Sequence, residues 1–148
     1  MIHSQNHRVV GDVPAAAIGA TATATLTIDT LGYDHASISV LRASNASTVF
    51  ANAIKIEESD DSTASYSNVT AFVGGGTGGF TIPGIAAAAT GSASILKLDV
   101  DTKAKKRYLK VSYTPGASAT VAIVARLGRG EVSPETAAQA GVIGQVRG

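Results

Sequence analysis

Apolar and polar residues alternate strictly over residues 21–28, where threonine occupies every odd position and an apolar side chain every even one. Successive side chains of a β-strand point to opposite faces, so the apolar positions can lie on a core while the threonines face water. The same period recurs in residues 37–40, 54–57, 96–100, 109–113 and 121–127. This pattern is typical of antiparallel sheets with one solvated face, and it predicts an all-β fold, an antiparallel β-sandwich of about eight strands.

The periodic segments define one β-sandwich domain over residues 21–127, flanked by segments without a clear strand pattern. A chain of 148 residues is long enough for one domain with a two-layer core. Residues 1–20 include Pro14, which cannot donate a ladder hydrogen bond, and are predicted to form an extended N-terminal arm. Residues 128–148 are predicted to form a C-terminal arm with a short helix, for which Ser133, Pro134 and Gly141 are suitable capping residues.

The last predicted strand is apolar on both faces, since residues 121–125 read Val-Ala-Ile-Val-Ala. A strand of this kind is typical of the interior of a sheet, where both faces are covered. We therefore expect this strand to be central and Ile123 to lie in the core.

Composition and charge narrow the class of function. The chain has no cysteine, which excludes disulfides and thiolate metal sites, and only 5% aromatic residues, which is lean for a substrate pocket. Its formal net charge of +1 does not indicate binding to nucleic acid or to an anionic membrane. No segment reaches the ~18 apolar residues that span a bilayer, and the N-terminus lacks a signal-peptide pattern. These features predict a soluble protein made in a cytoplasm, with no nucleic-acid or membrane partner.

The glycine-rich segment suggests phosphate binding and the basic segment suggests nucleic-acid binding, but the neighbouring residues support neither. Residues 74–79 contain five glycines, but the lysine and hydroxyl residue of a phosphate-binding loop are missing and Phe80 follows instead. The basic residues of the 103–107 segment have no interleaved aromatic residues, so a solvated loop is the better interpretation.

Acidic residues and histidines also fail to form a recognisable catalytic or metal site. The acidic cluster at residues 57–61 has no EF-hand spacing and is predicted to be a solvated hairpin tip. Asp99 and Asp101 alternate with apolar residues and should face outward. The three histidines are His3, His7 and His35, which the sequence does not place together. We therefore predict no catalytic residue, no metal ligand and no cofactor.

Four segments carry a resemblance to a known class of proteins: residues 29–34 (DTLGYD), 55–62 (KIEESDDS), 106–111 (KRYLKV) and 121–128 (VAIVARLG). With them, roughly residues 20–128 resemble the capsid decoration, or cement, proteins of tailed phages. The resemblance implies a jelly-roll-like β-sandwich without enzymatic activity or cofactor, located on the outer surface of the virion capsid. Its partners would be the major capsid protein and copies of itself, as a dimer or trimer.

The two predicted arms are the expected contact regions, because extended segments can order on a partner and pair with its sheets. The predicted partner-binding residues are Val9, Val10, Val13, Val142, Ile143, Val146 and Arg147. One alternative is a tail, baseplate or fibre component. Another is a carbohydrate-binding or adhesive β-sandwich, against which the absence of tryptophan counts, since sugars stack on aromatic rings.

Overall fold

The computed structural model describes residues 7–130 and 136–143 and confirms the all-β prediction. The eight strands are β1 (Arg8–Asp12), β2 (Ala24–Asp29), β3 (Tyr33–Arg42), β4 (Ala51–Ser59), β5 (Ser67–Val73), β6 (Ser94–Asp101), β7 (Tyr108–Pro115) and β8 (Val121–Gly130). Within the described ranges, the regular helical structure is a 3-10 turn at Ala87–Ala89.

The strands form two antiparallel four-stranded sheets in the orders β1-β8-β3-β6 and β2-β7-β4-β5. We call them the first and the second sheet. The first strand pairs with the last, β2 with β7, β3 with β6 and β4 with β5. This is a long hairpin ribbon wrapped over itself, which is the topology of the eight-stranded jelly roll. The predicted jelly-roll-like sandwich is thus present.

The core lies between the sheets and is made from the alternate apolar positions. In β2, Leu26 and Ile28 are buried while the intervening threonines are exposed, as their period predicts. Ile123 is fully buried in β8, which lies between β1 and β3. The predictions of a central last strand and a core position for Ile123 are confirmed.

The N-terminal arm prediction is corrected by β1. Residues 8–12 pair in register with residues 123–127 of β8, and Val10 packs against the core. The physical reason is that β8, apolar on both faces, would otherwise leave its backbone groups unpaired along one side. Because β1 is short and contains Gly11, it has no alternation long enough to predict a strand.

Residues 136–143 are the described part of the segment that follows β8. Residues 136–141 form one turn, in which the Ala140 N–H donates to the Thr136 carbonyl at 3.0 Å. Gly141 ends it with φ 74°, the left-handed conformation that favours glycine. Ser133 and Pro134, the predicted first residues of this helix, lie outside the described residues.

Arg42 is fully buried, although no core position was predicted for it. It shares the inward face of β3 with Ile38 and Val40, so the two-residue period contained the signal. Its Nη1 and Nη2 groups donate to the carbonyls of Val49 and Ser47 at 2.9 and 3.1 Å. The guanidinium therefore holds the β3–β4 connection against the end of β3 by two hydrogen bonds.

Candidate functional site

The predicted contact residues divide between core and surface. Val10 faces the core from β1, whereas Val13, just after β1, is 62% exposed. Val142 is half-buried and Ile143 is fully exposed in the C-terminal turn. Val9 is half-buried in β1. The last two predicted residues, Val146 and Arg147, lie outside the described residues. Val13 and Ile143 are thus the described members of the set that offer large exposed apolar side chains.

The two terminal segments meet on the free side of β1. The Val9 N–H, which points away from β8, donates to the Ala140 carbonyl at 2.7 Å. Gly141 lies so close that a Cβ atom there would be 1.8 Å from the Val9 carbonyl oxygen. The Val142 and Gly141 N–H groups bond back to the carbonyls of residues 137 and 138, the Schellman pattern of a glycine-terminated turn. The C-terminal turn therefore covers part of this sheet edge.

An apolar row crosses one end of the outer face of the first sheet. The registers place Ile95 beside Leu41 and Leu41 beside Ala122. Extended by one residue, the β1–β8 register places Val13 beside Ala122, on the side away from Leu41. We call these four residues the apolar row; its two end members, Val13 and Ile95, are 62% and 64% exposed.

The opposite end of the same face is polar and brings two histidines together. His35 lies beside Gly128 in the register, and His7 lies over Gly128 from the other side. A Cβ atom on Gly128 would be 3.0 Å from the His7 Nδ1 atom, so the glycine makes room for that ring. His35 also approaches Asp99, with Nε2 and Oδ1 3.9 Å apart. The sequence had no means of showing this proximity, because residues 7 and 35 meet only through β8.

The environment of His7 favours its neutral form. Its Nδ1 atom lies 3.3 Å from the Leu127 carbonyl oxygen, and since a carbonyl only accepts, Nδ1 carries the hydrogen in this contact. Burial, together with the positive charge of Arg126, lowers the pKa of His7 below its usual value. A shallow depression of about 420 Å³ adjoins the two histidines and is also lined by Asp34, Asp101 and Lys103.

The outer face of the second sheet carries an ion-pair network centred on Glu57. Its Oε1 atom is 2.8 Å from Lys55 Nζ and its Oε2 atom 3.1 Å from Lys110 Nζ. The Lys110 ammonium also lies over the Tyr66 ring, 4.2 Å from its centroid. Burial opposes ionisation of Glu57, but the two lysines outweigh it and lower its pKa. Glu57 therefore belongs to strand β4 and is nearly buried, which corrects its assignment to a solvated hairpin tip.

Three of the segments that carry the phage resemblance converge at one end of the sandwich. Arg107 donates from Nε and Nη2 to the two carboxylate oxygens of Asp29, at 2.9 and 2.8 Å. This bidentate pair lowers the pKa of Asp29 and raises that of Arg107. The Lys106 N–H donates to Glu58 Oε2 at 3.0 Å, which links the same loop to β4. These motif residues hold three chain segments together.

The glycine-rich segment after β5 is a tightly folded loop. Gly74 and Phe80 form a bridge, and the Phe80 N–H donates to the Val73 carbonyl at 3.3 Å. A Cβ atom on Gly79 would lie 1.9 Å from the Val73 carbonyl oxygen, so glycine is needed there for close packing. The glycines therefore serve the local fold.

The described residues, 7–130 with 136–143, contain no group of three or more acidic residues and histidines arranged to hold a metal ion. In the same part of the chain, no helix is long and apolar enough to cross a membrane. No protein-family model, no curated protein and no solved structure matches this sequence or fold with significance.

Proposed function

We propose that this protein is a non-enzymatic structural component of a phage virion that binds the outside of the capsid lattice and stabilises it. The observation that carries the proposal is the apolar row on a rigid jelly-roll sheet. Val13 and Ile95 are 62% and 64% exposed, and they lie at one end of the first sheet, just after β1 and in β6. Exposed aliphatic side chains grouped on a rigid face are typical of protein contact sites.

The fold and the motif contacts support the same proposal. Jelly rolls occur in viral capsid proteins, and also in lectins, so the topology favours a virion role only by analogy. The residues of the phage-like segments, such as Asp29 and Arg107, stabilise the sandwich. Repetition of one modest contact over a capsid lattice would supply avidity, so a small apolar surface is sufficient for stable attachment.

Two other functions use the same architecture. A tail, baseplate or fibre component would present the same row to a partner arranged with ring symmetry. A carbohydrate-binding module would place aromatic rings on an exposed face, whereas the members of the apolar row are aliphatic. The aliphatic character therefore favours a protein partner.

The test is co-sedimentation of the purified protein with capsid shells that lack it. We expect saturable binding of the wild type and a roughly tenfold loss of affinity for Val13→Asp, because a charge in the contact must be desolvated. Thr27→Asp is the matched control, since Thr27 is exposed on the outer face of the second sheet. Wild-type protein that fails to sediment with shells but binds purified tails or a glycan would replace this proposal by the corresponding alternative. An equal loss of affinity in both variants would show that the apolar row does not form the contact.

A further inference from the structure

The two edge strands of the first sheet differ in whether their outward backbone groups have hydrogen-bond partners. On the β1 edge, the C-terminal turn accepts the outward Val9 N–H. On the β6 edge, no residue of the described ranges forms a backbone hydrogen bond to the outward side of the strand. β6 is eight residues long and is paired without a bulge to β3. A long, regular, open edge of this kind is a template for pairing with another strand.

The hydrogen-bond pattern shows which groups are free on β6. The Thr102 N–H donates to the Asp34 carbonyl, which continues the β3–β6 ladder by one residue. Because bonded and non-bonded pairs alternate in an antiparallel ladder, the even residues of β6 bond to β3. The odd residues direct their N–H and C=O groups outward: Ile95, Lys97, Asp99 and Asp101.

A second copy of β6 fits this edge in one antiparallel register. With Leu98 opposite Leu98 of the second copy, Lys97 lies opposite Asp99 of that copy, and the reverse pair forms by symmetry. The same register aligns all the odd residues with odd residues, giving about eight backbone hydrogen bonds. Shifting it by two residues in one direction places Lys97 opposite Lys97; the shift in the other direction places Asp99 opposite Asp99, although Lys97 then faces Asp101. Like charges directly opposite are destabilising, and neither shifted register pairs all four outward residues of β6.

We infer that the protein forms a two-fold symmetric dimer in which the β6 strands pair antiparallel across Leu98, making one continuous eight-stranded sheet from the two first sheets. Charge complementarity selects the second copy as the occupant of this edge. The register across Leu98 is the one that pairs all four outward residues without placing like charges opposite one another. In one copy Lys97 Nζ lies 2.9 Å from Asp99 Oδ2, and the two side chains are 62% and 48% exposed. Dimerisation therefore exchanges this ion pair of each copy for two pairs between the copies. On the inner face, Leu96 meets Val100 of the second copy, so apolar residues also match. The inference does not depend on the proposed virion role.

The first experiment is a charge swap, measured by sedimentation equilibrium of the full chain. Lys97→Asp and Asp99→Lys each place like charges opposite one another twice, and each should weaken dimerisation roughly tenfold or more. The double variant Lys97→Asp/Asp99→Lys restores both opposite-charge pairs and should recover the wild-type dissociation constant within about threefold. Lys105→Glu, in the β6–β7 loop, is the matched control and should leave dimerisation unchanged.

The second experiment reads the register directly. The chain has no cysteine, so a single introduced thiol reports on its own position. Opposed residues of a non-hydrogen-bonded pair have Cα atoms about 4.5 Å apart, which a disulfide can bridge. Leu98→Cys should therefore cross-link to itself under mild oxidation, whereas Val100→Cys alone should not. Mixing Val100→Cys with Leu96→Cys should give the mixed dimer.

Each contrary outcome rejects the proposal. A wild-type chain that stays monomeric up to about 1 mM, or that forms a trimer, contradicts the two-fold dimer. Monomers whose outward β6 amides resist hydrogen exchange would show that another segment of the same chain covers the edge. A dimer that ignores the charge swap and does not cross-link through residue 98 would place the interface elsewhere. Val13→Asp should weaken capsid binding and leave dimerisation intact. Failure of the dimer and failure of the virion role can therefore be told apart.

Discussion

Replacement of Ile123 by alanine tests the assignment of β8 as the central strand of the first sheet. Ile123 is fully buried, between Asp12 of β1 and Val40 of β3 in the sheet. The change removes three carbon groups from the core, which at about 0.8 kcal/mol each amounts to about 2.4 kcal/mol of lost transfer free energy. A site enclosed by paired strands collapses little, so a cavity term adds to this loss. We expect the free energy of unfolding to fall by about 3–4 kcal/mol.

Equilibrium unfolding in urea, at one protein concentration so that any association stays constant, measures the effect. Val124→Ala is the matched control, because Val124 is the next residue of the same strand, half-buried on the outer face. It should cost at most about 1 kcal/mol. A loss below about 0.5 kcal/mol for Ile123→Ala, or equal losses for both variants, would refute the assignment of faces, since a shift of one residue exchanges them.

Three further predictions concern ionisation and the C-terminal turn. Asp29 has a lowered pKa, so the stability that its carboxylate contributes is complete above its unfolded pKa of 3.8 and is lost as pH falls through the lower folded value. The gap in urea midpoint between wild type and Asp29→Asn should therefore shrink below that pH, and a constant gap would contradict the ion pair. Burial raises the pKa of Tyr113 to about 12, so stability falls as pH rises above the unfolded value of 10.0. Ultraviolet titration should show one late tyrosine that Tyr113→Phe lacks, and an unchanged curve would show that this hydroxyl is accessible. Gly141→Ala should release the turn from β1, which hydrogen exchange would detect as faster exchange at the Val9 amide with little change at Val10. Equal rates in wild type and variant would mean that the turn does not protect β1.

The local period of the side chains determined much of this fold from the sequence. Alternation placed Leu26 and Ile28 on the core face and the threonines of β2 outside, because the direction of a strand side chain depends only on its position in the strand. The same rule, carried two residues beyond Val40, points Arg42 inward. Gly141 could likewise be expected to stop a turn, since a left-handed residue is a local requirement.

Only the tertiary structure decided the pairing of strands and the surfaces that follow from it. β1 is too short to show a period, and it is a strand because β8, more than a hundred residues later, offers it backbone partners. The meeting of His7 with His35, the near burial of Glu57 and the apolar row all depend on which strands are neighbours. These features rest on contacts between distant segments, and such contacts are set by the packing of the whole chain, whereas the alternation within a strand is set by its own residues.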